Sequence, residues 1–295
     1  PTCFQSQMKL SAKNNSITYE QKASKLGYDF QREHFMKARS SSTVSKRKQQ
    51  IKKMGISLKG KNVSFISKND LNRVCFIIVN TYKRPDYHLG VGPMNDASIV
   101  ASIHHRRGYK IYFLHNSTRD EFLTYFKFFI QNTKIALTIF YAGRTTSLQV
   151  NKLFERKKNQ CIKAMVFEQG YIIDYDVVNL LVNFKKNNEK IVLISDCCHG
   201  GPIWDFDSLF CSFQTLPSNI ISIYVANNDN ITDYDKIMVT NDGIFTVCLW
   251  KILNDCPAAT PIQLEDKMNP LMNKFGLSVV YHATSDELAT QTLFL

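Results

Sequence analysis

Residues Ile191–Gly201 read I-V-L-I-S-D-C-C-H-G-G. Four β-favouring apolar residues follow the charges of Glu189 and Lys190. The run then breaks at Ser195 and Asp196 into two cysteines, a histidine and two glycines. A short run apolar on both faces is what an interior strand of a parallel sheet looks like in sequence. Such a sheet needs helices on both faces, and in open α/β sheets ligands sit beyond the carboxyl ends of the strands. One stretch therefore predicts an α/β fold and says where to look for chemistry.

The rest of the chain from Val74 onward repeats the theme. Val74–Asn80, Tyr109–Leu114, Ile135–Tyr141, Ile220–Ala226 and Leu277–Tyr281 read as strands, with Ala164–Phe167 as a short extension. Between them lie amphipathic stretches. One begins at Asn95-Asp96, which offers an N-cap, and ends near Arg106 before Gly108. Another is capped by Ser117 or Thr118 and carries Phe122, Tyr125, Phe126 and Phe129 at helical spacing. Asp174 caps a third, with Val177, Val178, Leu181 and Val182 on one face. Ile244–Leu253 and Pro261 to about Lys274 complete the helices. Repeated β-α units of this size predict a mainly parallel sheet with a helical layer on each side.

Charge divides the chain. Residues 1–61 carry 14 Lys+Arg against 3 Asp+Glu, whereas 62–295 carry 23 against 22, so nearly all of the net charge of +12 belongs to the first segment. The expected division is a flexible, basic, polar segment over 1–61 and a folded domain over 62–295. Within the segment, Ser40–Ser45 reads as a linker and Lys46–Lys53 as a short basic helix. Three readings suit it: a solvated tail, a nuclear address, or a contact with nucleic acid or an acidic surface. Basic residues without interleaved aromatics argue against a single-strand stacking platform.

The eight cysteines form no C-x-x-C pair and no zinc-like spacing. Several sit in apolar runs, where cysteine acts as a small hydrophobe, and a reducing, cytoplasmic or nuclear compartment is expected. No apolar run approaches the ~18 residues of a membrane span. No secretory stretch appears near the start, although a chain beginning with Pro rather than Met makes that weak evidence.

Two strand ends carry the functional reading: Phe140–Thr145 (F-Y-A-G-R-T) and Asp196–Gly201 (D-C-C-H-G-G). With Leu89–Ala97 (L-G-V-G-P-M-N-D-A) and Arg107–Thr118 (R-G-Y-K-I-Y-F-L-H-N-S-T), they form an ordered set over residues 74–295. That set resembles the caspase-type cysteine peptidases of clan CD, and metacaspases most of all. The resemblance implies a caspase-like, mainly parallel six-stranded sheet with helices on both faces. It puts the nucleophile at Cys198, with Cys197 a spacer facing the other way. The catalytic histidine position then holds Arg144.

Arginine has no acceptor and stays protonated, so it can neither take the thiol proton nor return one to a leaving amine. It can favour the thiolate electrostatically. The main-chain N–H groups of Thr145 and Cys198 remain as oxyanion donors. The resemblance also implies recognition of Arg or Lys before the cleaved bond through Asp96 and Asp196, with Ala142 and Pro93 replacing two family pocket residues. A local alternative makes Asp96 a helix cap and Asp196 an orienting acid for the turn. A further alternative pairs Arg144 with Asp196 and blocks the pocket.

Calcium, bound by many metacaspases, finds Asp174 and Asp205 at two of its four acidic positions, with Tyr175 and Asn159 at the others and Asp207 as a possible substitute. Half the charge is missing, so no tight site and no other cofactor is expected.

Three functions follow: an impaired peptidase homologue with a reactive thiol; an active endopeptidase whose base is His115, His199, His88, His104 or His105; and an interaction module that binds a protein partner and is tethered by its basic segment.

Overall fold

The computed structural model describes residues 42–149, 161–185, 189–198, 203–204, 216–227 and 243–295. Helix α1 (Ser42–Met54) leads into β1 (Gly55–Ser57), and then come β2 (Arg73–Val79), α2 (Gly92–His105), β3 (Lys110–His115) and α3 (Arg119–Asn132). The long strand β4 (Ala136–Gln149) is followed by β5 (Cys161–Val166), β6 (Tyr171–Ile173), α4 (Asp174–Phe184), β7 (Lys190–Cys198) and β8 (Ile220–Asn227). The chain finishes with α5 (Ile244–Asp255), α6 (Pro261–Met272), β9 (Leu277–Ala283) and α7 (Asp286–Thr290).

The main sheet has the order β1-β3-β2-β4-β7-β8-β9. Every neighbouring pair is parallel except β8–β9. Six of these strands are the ones the sequence predicts. The seventh, β1, adds an edge beside β3, and β5 and β6 form an antiparallel hairpin off the end of β4.

Side chains alternate along the strands into two cores. On β4, Ala136, Phe140 and Ala142 face a core roofed by α1, α2, α5 and α6. Leu137, Ile139 and Tyr141 face the core under α3 and α4, where Phe76 meets Phe122, Tyr125 and Phe129. The apolar stripe of α3 supplies that second core as its spacing predicts. Its start is a reciprocal cap: the Thr118 hydroxyl accepts from the Glu121 N–H at 3.2 Å, and the Glu121 carboxylate accepts from the Thr118 N–H at 2.9 Å.

The basic stretch 42–61 departs from the expected flexible segment. Ile51 and Leu58 are fully buried, and β1 pairs in register with Ile111–Phe113. Arg47 is 5% exposed, and its Nε donates to the Asn95 Oδ1 at 2.8 Å. Residues 42–58 are thus part of the domain, and the boundary drawn at residue 62 does not hold there. Ser42 to Ser45 are helical rather than linker.

α2 also starts earlier than expected, at Gly92 with Pro93 in its first turn. Asn95 and Asp96 lie inside the helix, so Asp96 is not its N-cap. On the far side of the sheet, β9 is the last strand among the described residues, and its middle is covered from α6. The Asn269 side chain accepts from the Val279 N–H at 2.6 Å and donates to the Val279 carbonyl at 3.2 Å.

Winding reverses between β2 and β4. The chain leaves β2 through α2 to β3 on one side, then returns through α3 to β4 on the other. Their carboxyl ends are therefore the topological switch point, where loops diverge and leave a crevice.

Candidate active site

At that crevice β4 changes partners. It pairs with β2 through Ala142 and with β7 through Arg144; from Thr145 it pairs antiparallel with β5. In the β4–β7 ladder Ala142, Gly143 and Arg144 are the register partners of Asp196, Cys197 and Cys198. Adjacent strands are ~4.8 Å apart, so positions 144 and 198 are immediate neighbours at the backbone level.

Two tyrosines hold the point where β4 turns away. The Tyr82 hydroxyl accepts from the Arg144 N–H at 2.7 Å and donates to the Val166 carbonyl at 2.9 Å. The Tyr141 hydroxyl lies 2.8 Å from both the Arg144 and the Val166 carbonyls, which share its one proton, and 3.3 Å from the Tyr82 oxygen. Burial pushes both phenols up from their ordinary pKa, so they are neutral donors. The space they share is the one beside Gly143. A Cβ there would come within 2.8 Å of both hydroxyl oxygens, so close approach, not backbone angle, demands the glycine.

The Arg144 side chain is half-buried, and its Nε donates to the Tyr87 carbonyl at 2.9 Å. The loop that supplies this carbonyl is pinned in its turn. The Arg84 guanidinium sits 4.6 Å over the Tyr87 ring, and the imidazole Nδ1 of His88 lies 3.0 Å from the Tyr82 carbonyl. Tyr82 itself has φ +57°, a conformation fixed by Asn116, whose Oδ1 accepts from the Thr81 and Tyr82 N–H groups at 2.8 and 3.1 Å.

Thr145 is buried and pairs with Met165 of β5. Cys197 is half-buried against the core under α3 and α4, the face opposite to that of Arg144, as strand alternation predicts. Asp96 is 4% exposed and accepts from the Thr246 hydroxyl at 2.6 Å, joining the second turn of α2 to the first turn of α5. Asp196 is half-buried on β7 beside Ala142.

The expected substitute bases fare unequally. His115 ends β3, three strand spacings from β7, or about 14 Å. It lies 2.9 Å from the Thr81 hydroxyl, and burial, together with Lys48, Lys59 and Lys83, lowers its pKa to about 4. That distance rules out direct proton exchange with residue 198. His104 is a fully buried core residue between the Val100 carbonyl and the Thr138 hydroxyl, its pKa lowered to about 4 by burial. His105 is exposed at the far end of α2. His88 lies in the loop near Arg144, and His199 falls outside the described residues.

Asp174 is the first residue of α4 rather than its cap. Its carboxylate accepts from the Trp204 N–H at 3.0 Å, and Asp176 accepts from the Ile173 N–H at 3.3 Å. Tyr175 is exposed; Asn159, Asp205 and Asp207 fall outside the described residues. Among the described residues no group of three or more His, Cys, Asp or Glu is arranged to hold a metal.

The tyrosine pair, the Tyr87 carbonyl and Thr246 were missed in the sequence. One signal was present: the polar run Asn80-Thr81-Tyr82 directly after a strand that is apolar from Val74 to Val79.

No family model matches the chain. It is similar to Metacaspase-3 of Trypanosoma cruzi, 26% identical over 106 residues, covering 35% of this chain and 30% of that protein. It is also similar to Metacaspase-2 of Trypanosoma brucei brucei, 30% identical over 91 residues, covering 30% of this chain and 26% of that protein. The match thus spans less than a third of either relative. Among solved structures, protein GSU0716 of Geobacter sulfurreducens superposes with a TM-score of 0.54 at 11% identity, over 76% of this chain and 98% of that one. The Drosophila initiator caspase Dronc gives 0.48 at 14% identity, over 75% and 84%. The fold these neighbours share with the chain is the α/β fold, a mainly parallel sheet between two helical layers, that the sequence motifs imply. No helix among the described residues is long and apolar enough to cross a membrane.

Proposed function

We propose that this chain is a caspase-like cysteine-peptidase homologue that keeps a thiol at residue 198 and has lost its general base to Arg144. The observation that carries the reading is the register pairing of Arg144 with Cys198 across adjacent parallel strands. A guanidinium there favours a thiolate but cannot shuttle a proton. Its Nε is already committed to the Tyr87 carbonyl. Loss of the base leaves ~10³–10⁴-fold acceleration over water, which suits a regulatory or scaffolding homologue better than a turning-over protease. Where a basic side chain is bound, Asp196 on β7 and Asp96 on α2 are the acids to pair with it.

The competing reading, an active endopeptidase cleaving after Arg or Lys, draws no support from His115 or His104. The first sits about 14 Å away across the sheet, and the second is enclosed in the core.

The test is thiol alkylation mapped by mass spectrometry together with hydrolysis of an Arg-ending peptide substrate. Wild type, Arg144→His and Cys198→Ala are compared with and without calcium. Alkylation at Cys198 with negligible wild-type turnover, and a gain in Arg144→His, is expected. Robust Cys198-dependent cleavage by the wild type refutes the proposal.

A further inference from the structure

The opposite end of the molecule carries a feature that the candidate site does not use. α2 and α5 run side by side. Thr246 in the first turn of α5 meets Asp96 in the second turn of α2, and Arg107, two residues past the end of α2, reaches the Leu253 carbonyl in the last turn of α5. At that end lies an open recess of about 240 Å³, lined by Ile103, Arg106, Arg107, Trp250, Leu253, Asn254 and Pro257. α2 begins beyond the carboxyl end of β2 and finishes before β3 starts, so the recess is on the edge of the sheet remote from residues 144 and 198.

Its chemistry is lopsided. Arg107 is structural, since it donates to the Ile103, Leu253 and Pro257 carbonyls at 3.2, 3.3 and 3.3 Å and so caps both helix ends. Arg106 is exposed, and its Nε alone is engaged, by the Ser102 carbonyl at 3.4 Å. The four N–H donors on its two terminal nitrogens point to no described protein group. Neither arginine pairs with a carboxylate among the described residues. Two helix C-termini contribute roughly half a negative charge each, which offsets one guanidinium and leaves the other. Lys251 and Asp255, on the same turns of α5, cancel one another.

Size decides the class of occupant. Pockets for nucleotides and drug-sized molecules run from about 300 to 1,000 Å³; this one holds a side chain or two. Trp and Arg around a small apolar floor are the residue types that concentrate binding energy in protein interfaces. We propose that this recess docks an acidic segment of a partner protein, one carboxylate engaging Arg106 and a neighbouring apolar side chain packing on Trp250.

The chain has two tryptophans, and Trp204 is fully buried in the core under α3 and α4, so it supplies a constant background and a peptide-induced change in indole emission reports on Trp250. The probe is a roughly ten-residue peptide alternating glutamate with leucine and phenylalanine; its glutamine counterpart is the control. A saturable emission change is expected with the acidic peptide, weakening as salt rises, absent in Trp250→Phe, and at least ten-fold weaker in Arg106→Glu. The proposal is overturned by equal titration with the glutamine peptide, by an unchanged affinity in Arg106→Glu, by no saturable response up to millimolar peptide, or by sedimentation showing that self-association causes the change. Nothing in the readout depends on Cys198, so this site and the thiol proposal stand or fall separately.

Discussion

Gly143→Ala is the sharpest probe of the crevice. The added methyl would lie 2.8 Å from both tyrosine oxygens and 2.9 Å from the Tyr141 Cζ. Ordinary contact begins near 3.4 Å, so each hydroxyl has to retreat by about 0.6 Å. Both are held inside the core and both bond the Arg144 backbone, at 2.7 and 2.8 Å. That retreat stretches those bonds beyond normal hydrogen-bond length. Overpacking a core costs about 1–3 kcal/mol, and two weakened bonds add up to ~1 kcal/mol each. The expected loss is about 2–4 kcal/mol, a large share of the ~5–15 kcal/mol of a typical domain. Urea denaturation should show a lower midpoint at unchanged slope. In a Tyr82→Phe background one of the two obstructing oxygens is gone, so the same glycine change should cost at least ~1 kcal/mol less, read as a coupling energy. A Gly143→Ala variant within ~0.5 kcal/mol of wild type, or an equal cost in both backgrounds, refutes the packing argument.

Other outcomes follow from single contacts. Thr246→Val removes the hydroxyl that serves the buried Asp96 and should cost roughly 1.5–3 kcal/mol in thermal or urea unfolding, whereas the exposed Thr290→Val should cost little. Ile51→Ala should cost about 2–5 kcal/mol, because Ile51 is fully enclosed; a neutral result would return α1 to the status of a tail. Glu189, whose carboxyl is enclosed beside Lys185, has its pKa raised from 4.5 to about 7 by burial. Its folded pKa exceeds its unfolded one, so the stability it contributes is fully present below pH 4.5 and is lost as pH rises through 7. Glu189→Gln should flatten the stability profile across that window, and a profile that kept its slope there would contradict the assignment.

The sequence made the interior legible because burial on both faces leaves an unmistakable apolar run. β2, β3, β4, β7 and β8 were all visible that way, and the strand ends at residues 144 and 198 came with them. What stayed hidden has physical reasons. α1 buries only a narrow stripe around Arg47 and Ile51 inside a run of lysines, so its charge masks its packing. β1 has three residues, too few for any period to show, and β6 is as short. The start of α2 was displaced by an attractive cap pair, Asn95-Asp96, when Pro93 after Gly92 was the better helix-start signal. The tyrosine pair could not be inferred because Tyr82, Tyr141 and Val166 meet only once β4 leaves the main sheet for the hairpin.

Asn269 gives one side chain a role normally filled by a whole strand. By taking both the N–H and the carbonyl of Val279, it removes from the middle of β9 the two groups that an incoming backbone would need. A second molecule approaching that edge finds its central pair of groups already taken, with a helix beside them. Growth of the sheet from chain to chain, the route by which open edges become ribbons and filaments, is therefore interrupted at its central rung. The interruption puts no formal charge and no proline on the strand itself, only an amide beside it from the third turn of α6.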